Sequence, residues 1–466
     1  MGEAIISRRG GTSGGKAQII VYVDSAVKVT CGSQSKTASL SSGKYTAVFN
    51  VDYGTYTISA YYSGQTATTT LSVTILQQYE VTLANGHTYT VCIDMSVSDP
   101  TSACTYEDDA AGLTPLSVSS SGSPSYGSWS DFVNKVAKPC LYNNGTVTYL
   151  NPNNYAQTAA GATADITSGS AGDVMIEFSK KWYKFAISGN YLRFSVADYD
   201  RSSDGFITTA FTSEDGNGSA VNAFYYGAYE GYNSSNKIRS LSGKTPTVNI
   251  SWTKSLSYCA ATGSKYTMEP FIKRMYILGL LMLVTKSRDG QATIGYGRVK
   301  SNSSAINTGT MNTKGLFYGR RDVDTEGCKV FGIENFWGNL WNWMAGMVTV
   351  GSTYSLYIKN HAPYNSSGTN YTQINVSPSG GSLGSWQYPT AYTPYQDGAI
   401  VLPKTVQSDS TIGWPDGFAV DSSAGYVPYV GGRWYNSLVN SGPWVVGCYI
   451  SPSYTASDIG VRCVAA

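Results

Sequence analysis

A mainly β protein with some α, of the α+β class, is what this sequence predicts, and three observations carry the prediction. The chain holds 37 tyrosines and 50 glycines against only 13% charged residues, a composition that suits strands and tight turns better than helical bundles. Residues 18 to 75 alternate apolar and polar at the two-residue period of a strand. Beyond residue 294, short apolar runs alternate with Gly, Pro, Asn and Ser, so loops should outweigh regular elements there. At 466 residues the chain has length for two to four domains and at least one sizeable core.

The elements follow in order. Residues 1–17 precede the first alternation and read as an anchor, flexible or ordered by a partner. Residues 18–77 read as a β-sandwich: Val27, Val29 and Cys31, then Tyr45, Ala47, Phe49 and Val51, then Tyr56, Ile58, Ala60 and Tyr62, then Leu71, Val73 and Ile75 mark inward faces. The clusters Ser41-Ser42-Gly43, Asp52-Tyr53-Gly54 and Ser63-Gly64-Gln65 supply its turns. Its segment Tyr53-Gly54-Thr55-Tyr56-Thr57-Ile58-Ser59-Ala60 is similar to Ig-like and PEGA-type surface repeats, which implies a mechanical spacer.

Residues 78–130 form a connecting region. Within it Tyr79, Val81, Leu83 and Tyr89, Val91, Ile93, Met95 flank Asn85-Gly86, a hairpin signal, and the Ser/Gly/Pro-rich stretch 117–130 reads as a surface loop. Residues 131–466 form the last region. A short helix over Asp131 to Lys138 ends at Pro139, strands follow at 174–178, 181–187 and 192–196, and Met268 to Thr285 is the core helix.

Composition excludes several function classes. The 32 basic and 30 acidic residues leave a net charge of +2, too weak a field to hold a phosphate backbone, so nucleic acid is not the partner. Residues 1–15 contain no apolar core of a secretory signal peptide. The longest apolar run, Met275 to Val284, is too short for membrane insertion and reads as a buried helix. Eight cysteines are scattered without a C-x-x-C spacing and read as buried small hydrophobes; Cys448 and Cys463 are the pair that neighbouring strands would bring together.

Three pieces near the end occur in a fixed order: Gly338-Asn339-Leu340-Trp341-Asn342-Trp343, Gly431-Gly432-Arg433-Trp434, and Ile459-Gly460-Val461-Arg462. The tryptophans supply apolar area with an N–H that needs a partner, and the paired glycines allow backbone to pass close over an aromatic face. The order resembles that of sulfatase-modifying (formylglycine-generating) proteins and their C-type-lectin-like relatives. Upstream, 172–178, 226–230 and 332–335 are similar to segments of phage tail proteins with lectin-like tips, so the resemblance spans about residues 78 to 466. It implies a C-type-lectin-like receptor-binding tip on a phage virion, made in the host cytoplasm without a signal peptide.

Catalysis has little to stand on. With only His87 and His361, a three-histidine iron site is impossible within one chain. The close C-terminal cysteine pair that formylglycine-generating enzymes use for copper has no counterpart here, since Cys448 and Cys463 are 15 positions apart. The acids Glu107, Asp108, Asp109, Asp198, Asp200, Asp204 and Glu334 would serve glycoside cleavage only if two converged in a groove, and no G-x-S-x-G motif accompanies the histidines. No cofactor is expected. Calcium is the one ion with a candidate loop, 198–205, whose three aspartates depart from EF-hand spacing and default to an Asx-rich turn.

Recognition is written in the C-terminal strip. Tyr435, Asn436, Ser437, Asn440, Ser441, Trp444, Tyr449, Ser451, Ser453, Tyr454, Thr455, Ser457 and Asp458 mix rigid aromatics with small hydrogen-bonding groups, as antibody paratopes do. In the variable proteins of diversity-generating retroelements this strip is the ligand face, and the resemblance carries that role here. Arg433, Tyr435, Asn436, Ser437, Asn440, Trp444, Tyr449, Ser451, Ser453 and Tyr454 are therefore expected to bind a host cell-surface carbohydrate or protein. Trp341, Trp343, Gly431, Gly432, Trp434, Gly460 and Arg462 are expected to be structural, with Trp434 packed beneath the tip. The N-terminus should contact other virion proteins, and a homo-oligomer, a trimer, should multiply weak contacts. The competing readings are a structural head or tail decoration without ligand, and a hydrolase of surface glycan.

Overall fold

The computed structural model describes residues 4–9, 15–62, 65–83, 86–300 and 303–466. It is β-rich with a few helices and divides into two compact units. One comprises the chain up to Thr88 with Val196–Phe206; the other comprises Tyr89–Ser195 with Ile207–Ala466.

The first unit is a sandwich of two sheets. One sheet runs in the order Ala4–Arg9, Gln78–Leu83, Ala17–Val23, Lys44–Val51, Ser39–Ser41, and the other Gln34–Thr37, Lys28–Cys31, Gly54–Tyr62, Gln65–Val73. Period-2 alternation gives each inner strand one apolar face: Ile19, Val21, Phe49, Val29, Ile58 and Val81 are fully buried in one cluster. Each such side chain contributes about 1.5–3 kcal/mol through burial, which the strand entropy must be set against.

Four expectations change here. The sandwich closes at Leu83 rather than at residue 77, because Gln78–Leu83 pairs parallel with Ala17–Val23 and antiparallel with Ala4–Arg9. The stretch expected as an anchor thus supplies a strand at 4–9, while residues 1–3 and 10–14 lie outside the described residues. The hairpin expected over 79–95 does not form: Gln78–Leu83 belongs to the sandwich, whereas Thr88–Asp94 pairs antiparallel with Cys104–Asp108 in another sheet. Tyr79, Val81 and Leu83 match the sandwich core, and that burial outweighs a local turn whose Asn85 lies outside the described residues. Ile75, expected to face inward, is 53% exposed, since its strand ends at Val73.

In the second unit the expected strands appear as Asp173–Ser179, Trp182–Ser188 and Tyr191–Ala197. Asp173–Ser179 lies inside a seven-stranded sheet ordered Asn154–Thr158, Thr146–Asn151, Ala137–Asn143, Asp173–Ser179, Ala223–Gly227, Cys463–Ala465, Tyr266–Met268. The short helix is Ser130–Val136, and Pro139 sits in the following strand, Ala137–Asn143. A further helix, Trp252–Ala260, capped by Ser251 accepting from the Lys254 N–H, has no counterpart in the sequence reading.

The core helix is Phe271–Thr285, and every one of its residues is buried. Tyr276 meets Tyr183, Phe211 and Phe224 at ring distances of 5.0, 5.1 and 6.1 Å. Gly279 lies where a Cβ would fall 2.4 Å from the Phe194 ring, so only glycine lets that ring seat on the helix. Lys273 and Arg274 are also buried: Lys273 pairs with Glu214 and donates to Thr212 O, while Arg274 pairs with Glu269 at 2.9 Å and donates to Phe336 O and Pro443 O. Among the described residues no helix is long and apolar enough to cross a membrane.

All eight cysteines are unpaired and buried. Cys448 and Cys463 are not on neighbouring strands: Val446–Ile450 belongs to a five-stranded sheet and Cys463–Ala465 to the seven-stranded one. Intervening backbone turns between the two sheets, which 15 residues of sequence distance do not reveal.

Candidate functional site

The first and third C-terminal motifs meet in one sheet, and the second follows directly on another strand of it. Trp341–Trp343 pairs antiparallel with Val427–Val430 and parallel with Ile459–Val461, placing Asn342 opposite both Val430 and Gly460. Gly338 adopts φ +74°, and its N–H donates to Gly431 O at 2.9 Å, tying the first motif to the second. Asn339 and Leu340 donate to the buried Glu230, whose carboxyl is pushed up to about 7 chiefly by burial. Trp343 is fully buried and its indole N–H donates to Ile250 O at 2.9 Å. Arg462, 1% exposed, donates to Gly227 O, Glu334 O and Asn335 O, so it fastens three backbone carbonyls.

The glycine pair works differently from the expectation. Gly432 has φ +91° and faces Ser441, whose Oγ lies 2.2 Å from the position of a Cβ; Gly431 faces the backbone of Phe336 and Trp337. Close backbone approach, not an aromatic face, requires glycine here. Trp434 is half-buried, edge-on to Tyr435 at 4.3 Å, and does not pack beneath the tip.

Beside this sheet opens a cleft of about 520 Å³. Arg433, Asn436, Asn440, Tyr449, Ser451 and Tyr454 line it, as does Asp458 from the same strip. Trp341, assigned a structural role, also reaches it. Trp386, Tyr426 and Tyr429 line it too, and sequence reasoning missed all three. Trp386 comes from the loop Gly384-Ser385-Trp386-Gln387, where a lone aromatic has no periodic partner to betray its destination. It lies near-parallel to Trp341, at 6.1 Å and 15°, and its N–H donates to Tyr449 OH at 3.0 Å. Tyr429 meets Trp341 edge-on at 4.9 Å and Tyr449 at 5.5 Å.

The polar wall is a small network. Arg433 Nη1 pairs with Asp458 Oδ2, which also accepts from Tyr435 OH; Arg433 Nε donates to Asn436 Oδ1 at 2.7 Å, and its guanidinium lies 3.9 Å over the Tyr435 ring. Asn436 Nδ2 donates to Asn440 O at 2.7 Å. Burial and the bond to Asp458 push the Tyr435 hydroxyl up to about 12. Tyr435 thus supports Arg433 from outside the cleft lining, although it is 41% exposed. Ser437 and Ser453 are exposed outside the lining, Ser453 being bonded to Ser451 at 2.9 Å.

Trp444 is the clear displacement from the expected face. It is buried against Tyr392 and Trp414 at 5.6 and 6.3 Å, and its backbone N–H donates to the buried Asp416 at 2.8 Å. The turn at Gly442-Pro443 directs it into the core.

The candidate catalytic and ion residues are engaged elsewhere. Glu107 holds Arg193 at 2.7 and 2.9 Å, Asp108 accepts from Thr90, and buried Glu334 accepts from the Gly309 and Met311 N–H groups. In the 198–205 loop, Asp198 accepts from His87 N, Asp200 from Ser202 N, and Asp204 pairs with Arg201 at 2.9 Å, the pattern of an Asx-rich turn with an ion pair. No group of three metal-ligating side chains converges among the described residues.

No protein-family model matches the chain, and no curated protein matches it in sequence. Among solved structures it is similar to PvdO from Pseudomonas aeruginosa, at 10% identity over 65% of this chain and 97% of that one, with a TM-score of 0.29. Treponema denticola variable protein 1 matches at 11% identity over 63% and 95%, TM-score 0.28, and the M1 variant of the Major Tropism Determinant at 13% over 89% and 81%, TM-score 0.27. At these values the likeness carries no weight for function.

Proposed function

We propose that the chain is a phage virion adhesin that attaches to a host cell-surface carbohydrate or protein through the aromatic cleft of its C-terminal unit. The observation that carries this reading is the cleft itself: aromatic rings together with small polar groups of the C-terminal strip, beside a sheet to which the first and third motifs contribute strands. A motif order similar to phage lectin-like tips supports the virion setting, and the sandwich serves as spacer. In this reading the chain binds rather than catalyses, and it acts as a homo-oligomer, a trimer by preference, because linked copies raise effective concentration.

Fluorescently labelled full chain should adhere to some members of a panel of bacterial strains, and Trp386→Ala should abolish that adhesion while the melting temperature of the remaining fold stays near that of the parent. Adhesion unaffected by Trp386→Ala and Tyr454→Ala would sink the reading in favour of a ligand-free decoration. Release of reducing ends from host polysaccharide would instead identify a hydrolase.

A further inference from the structure

Two features of the cleft constrain its ligand further, and both rest on the adhesin reading above. Its lining carries one cation and one carboxylate, Arg433 and Asp458, and these are paired with each other. A charged ligand therefore finds no unspent counter-charge. The pair nevertheless keeps hydrogen-bonding capacity. Arg433 spends Nε on Asn436 and Nη1 on Asp458; Asp458 spends Oδ2 on Arg433 and Tyr435. Arg433 Nη2 and Asp458 Oδ1 remain, a donor and an acceptor on adjoining groups. A hydroxyl fills both at once, since it donates and accepts through one oxygen. An ammonium cannot accept, and a carboxylate cannot donate to Oδ1.

The same cleft is lined by the half-buried Trp386 and Tyr449 and the exposed Tyr454, flat apolar surfaces with few rotors to freeze. We infer that the cleft takes a short neutral oligosaccharide, with one sugar hydroxyl held between Arg433 and Asp458 and the apolar face of a ring against the Trp386 side of the cleft. The volume of about 520 Å³ lies within the range of small-ligand sites.

The test titrates full-length protein with two panels of di- to tetrasaccharides, neutral hexose and N-acetylhexosamine oligomers and acidic uronate- or sialate-bearing ones, reading tryptophan fluorescence at low and high salt. Neutral oligomers should bind with an affinity that salt leaves unchanged within about twofold, because no net charge is neutralised. Asp458→Asn should weaken that binding at least about tenfold, the loss expected of a charge-assisted hydrogen bond, and should admit acidic oligomers, because Arg433 is then unpaired. Tighter, salt-sensitive binding of acidic oligomers by the parent protein overturns the inference. So does the absence of any sugar binding when Trp386→Ala still abolishes adhesion to cells, a result that makes the occupant a protein and leaves the adhesin reading standing. If neither sugar binding nor cell adhesion depends on Trp386, both readings fail.

Discussion

The two units build their interiors from different materials. In the sandwich, among described residues 15–83, the one buried polar side chain is Ser59; the rest of the core is aliphatic and aromatic, and backbone groups are satisfied by regular ladders. The second unit buries Lys273, Arg274, Arg288, Lys329 and Arg462, each 2% exposed or less, with Glu214, Glu230, Glu269, Glu334 and Asp416. Loops explain the contrast. A fold with long irregular stretches leaves carbonyls and amides without ladder partners, and long charged side chains reach them where strands cannot. Stability in the sandwich therefore scales with apolar volume, while in the second unit it hangs on a few polar fasteners.

The largest expected effect breaks a fastener. Arg462→Met should cost about 3–5 kcal/mol, because Gly227 O, Glu334 O and Asn335 O lose their donor in a dry interior. All ten tryptophans lie at or beyond residue 129, so their fluorescence reports the second unit alone and should show the urea midpoint collapse. The mirror experiment is Phe49→Ala, which opens a void in the sandwich and should cost about 3–4 kcal/mol. Circular dichroism should record that loss while the tryptophan midpoint holds; a shift in both signals would show the units to be one cooperative block.

Acidity sharpens the comparison further. Glu230 is pushed up to about 7 in the fold from an ordinary 4.5, so the folded chain holds a proton there that the unfolded chain releases. Its contribution is fully present below about pH 4.5, declines as pH rises through 7, and is flat beyond. The total loss is on the order of 3 kcal/mol. Between pH 5 and 8 the tryptophan midpoint of the parent should fall, and the difference between parent and Glu230→Gln should shrink in step. A difference independent of pH would remove Glu230 as the cause.

The smallest expected effect lies on the cleft rim. Tyr454→Ala, at a residue 47% exposed, should leave stability within about 0.5 kcal/mol yet reduce adhesion to cells. Trp444→Ala should do the reverse at much larger cost, about 3–5 kcal/mol, since its ring is core.

Sequence by itself determined whatever is written locally. Alternation marked the faces of the sandwich strands because a strand's side chains alternate regardless of what lies opposite. The helix over 271–285 was legible from an apolar run of helical length, and the motif order located the sheet that carries the site. Tertiary structure alone decided which side of an irregular backbone each residue faces. Trp444 and Tyr449 stand five positions apart, yet the first turns into the core and the second toward the cleft. Trp386 arrives from a loop 63 positions from its partner Tyr449, and Arg433 meets Asp458 across 25. The strand at 78–83 likewise chose the sandwich over a hairpin. Where the backbone has no period, burial is settled by long-range packing, and no spacing along the chain encodes it.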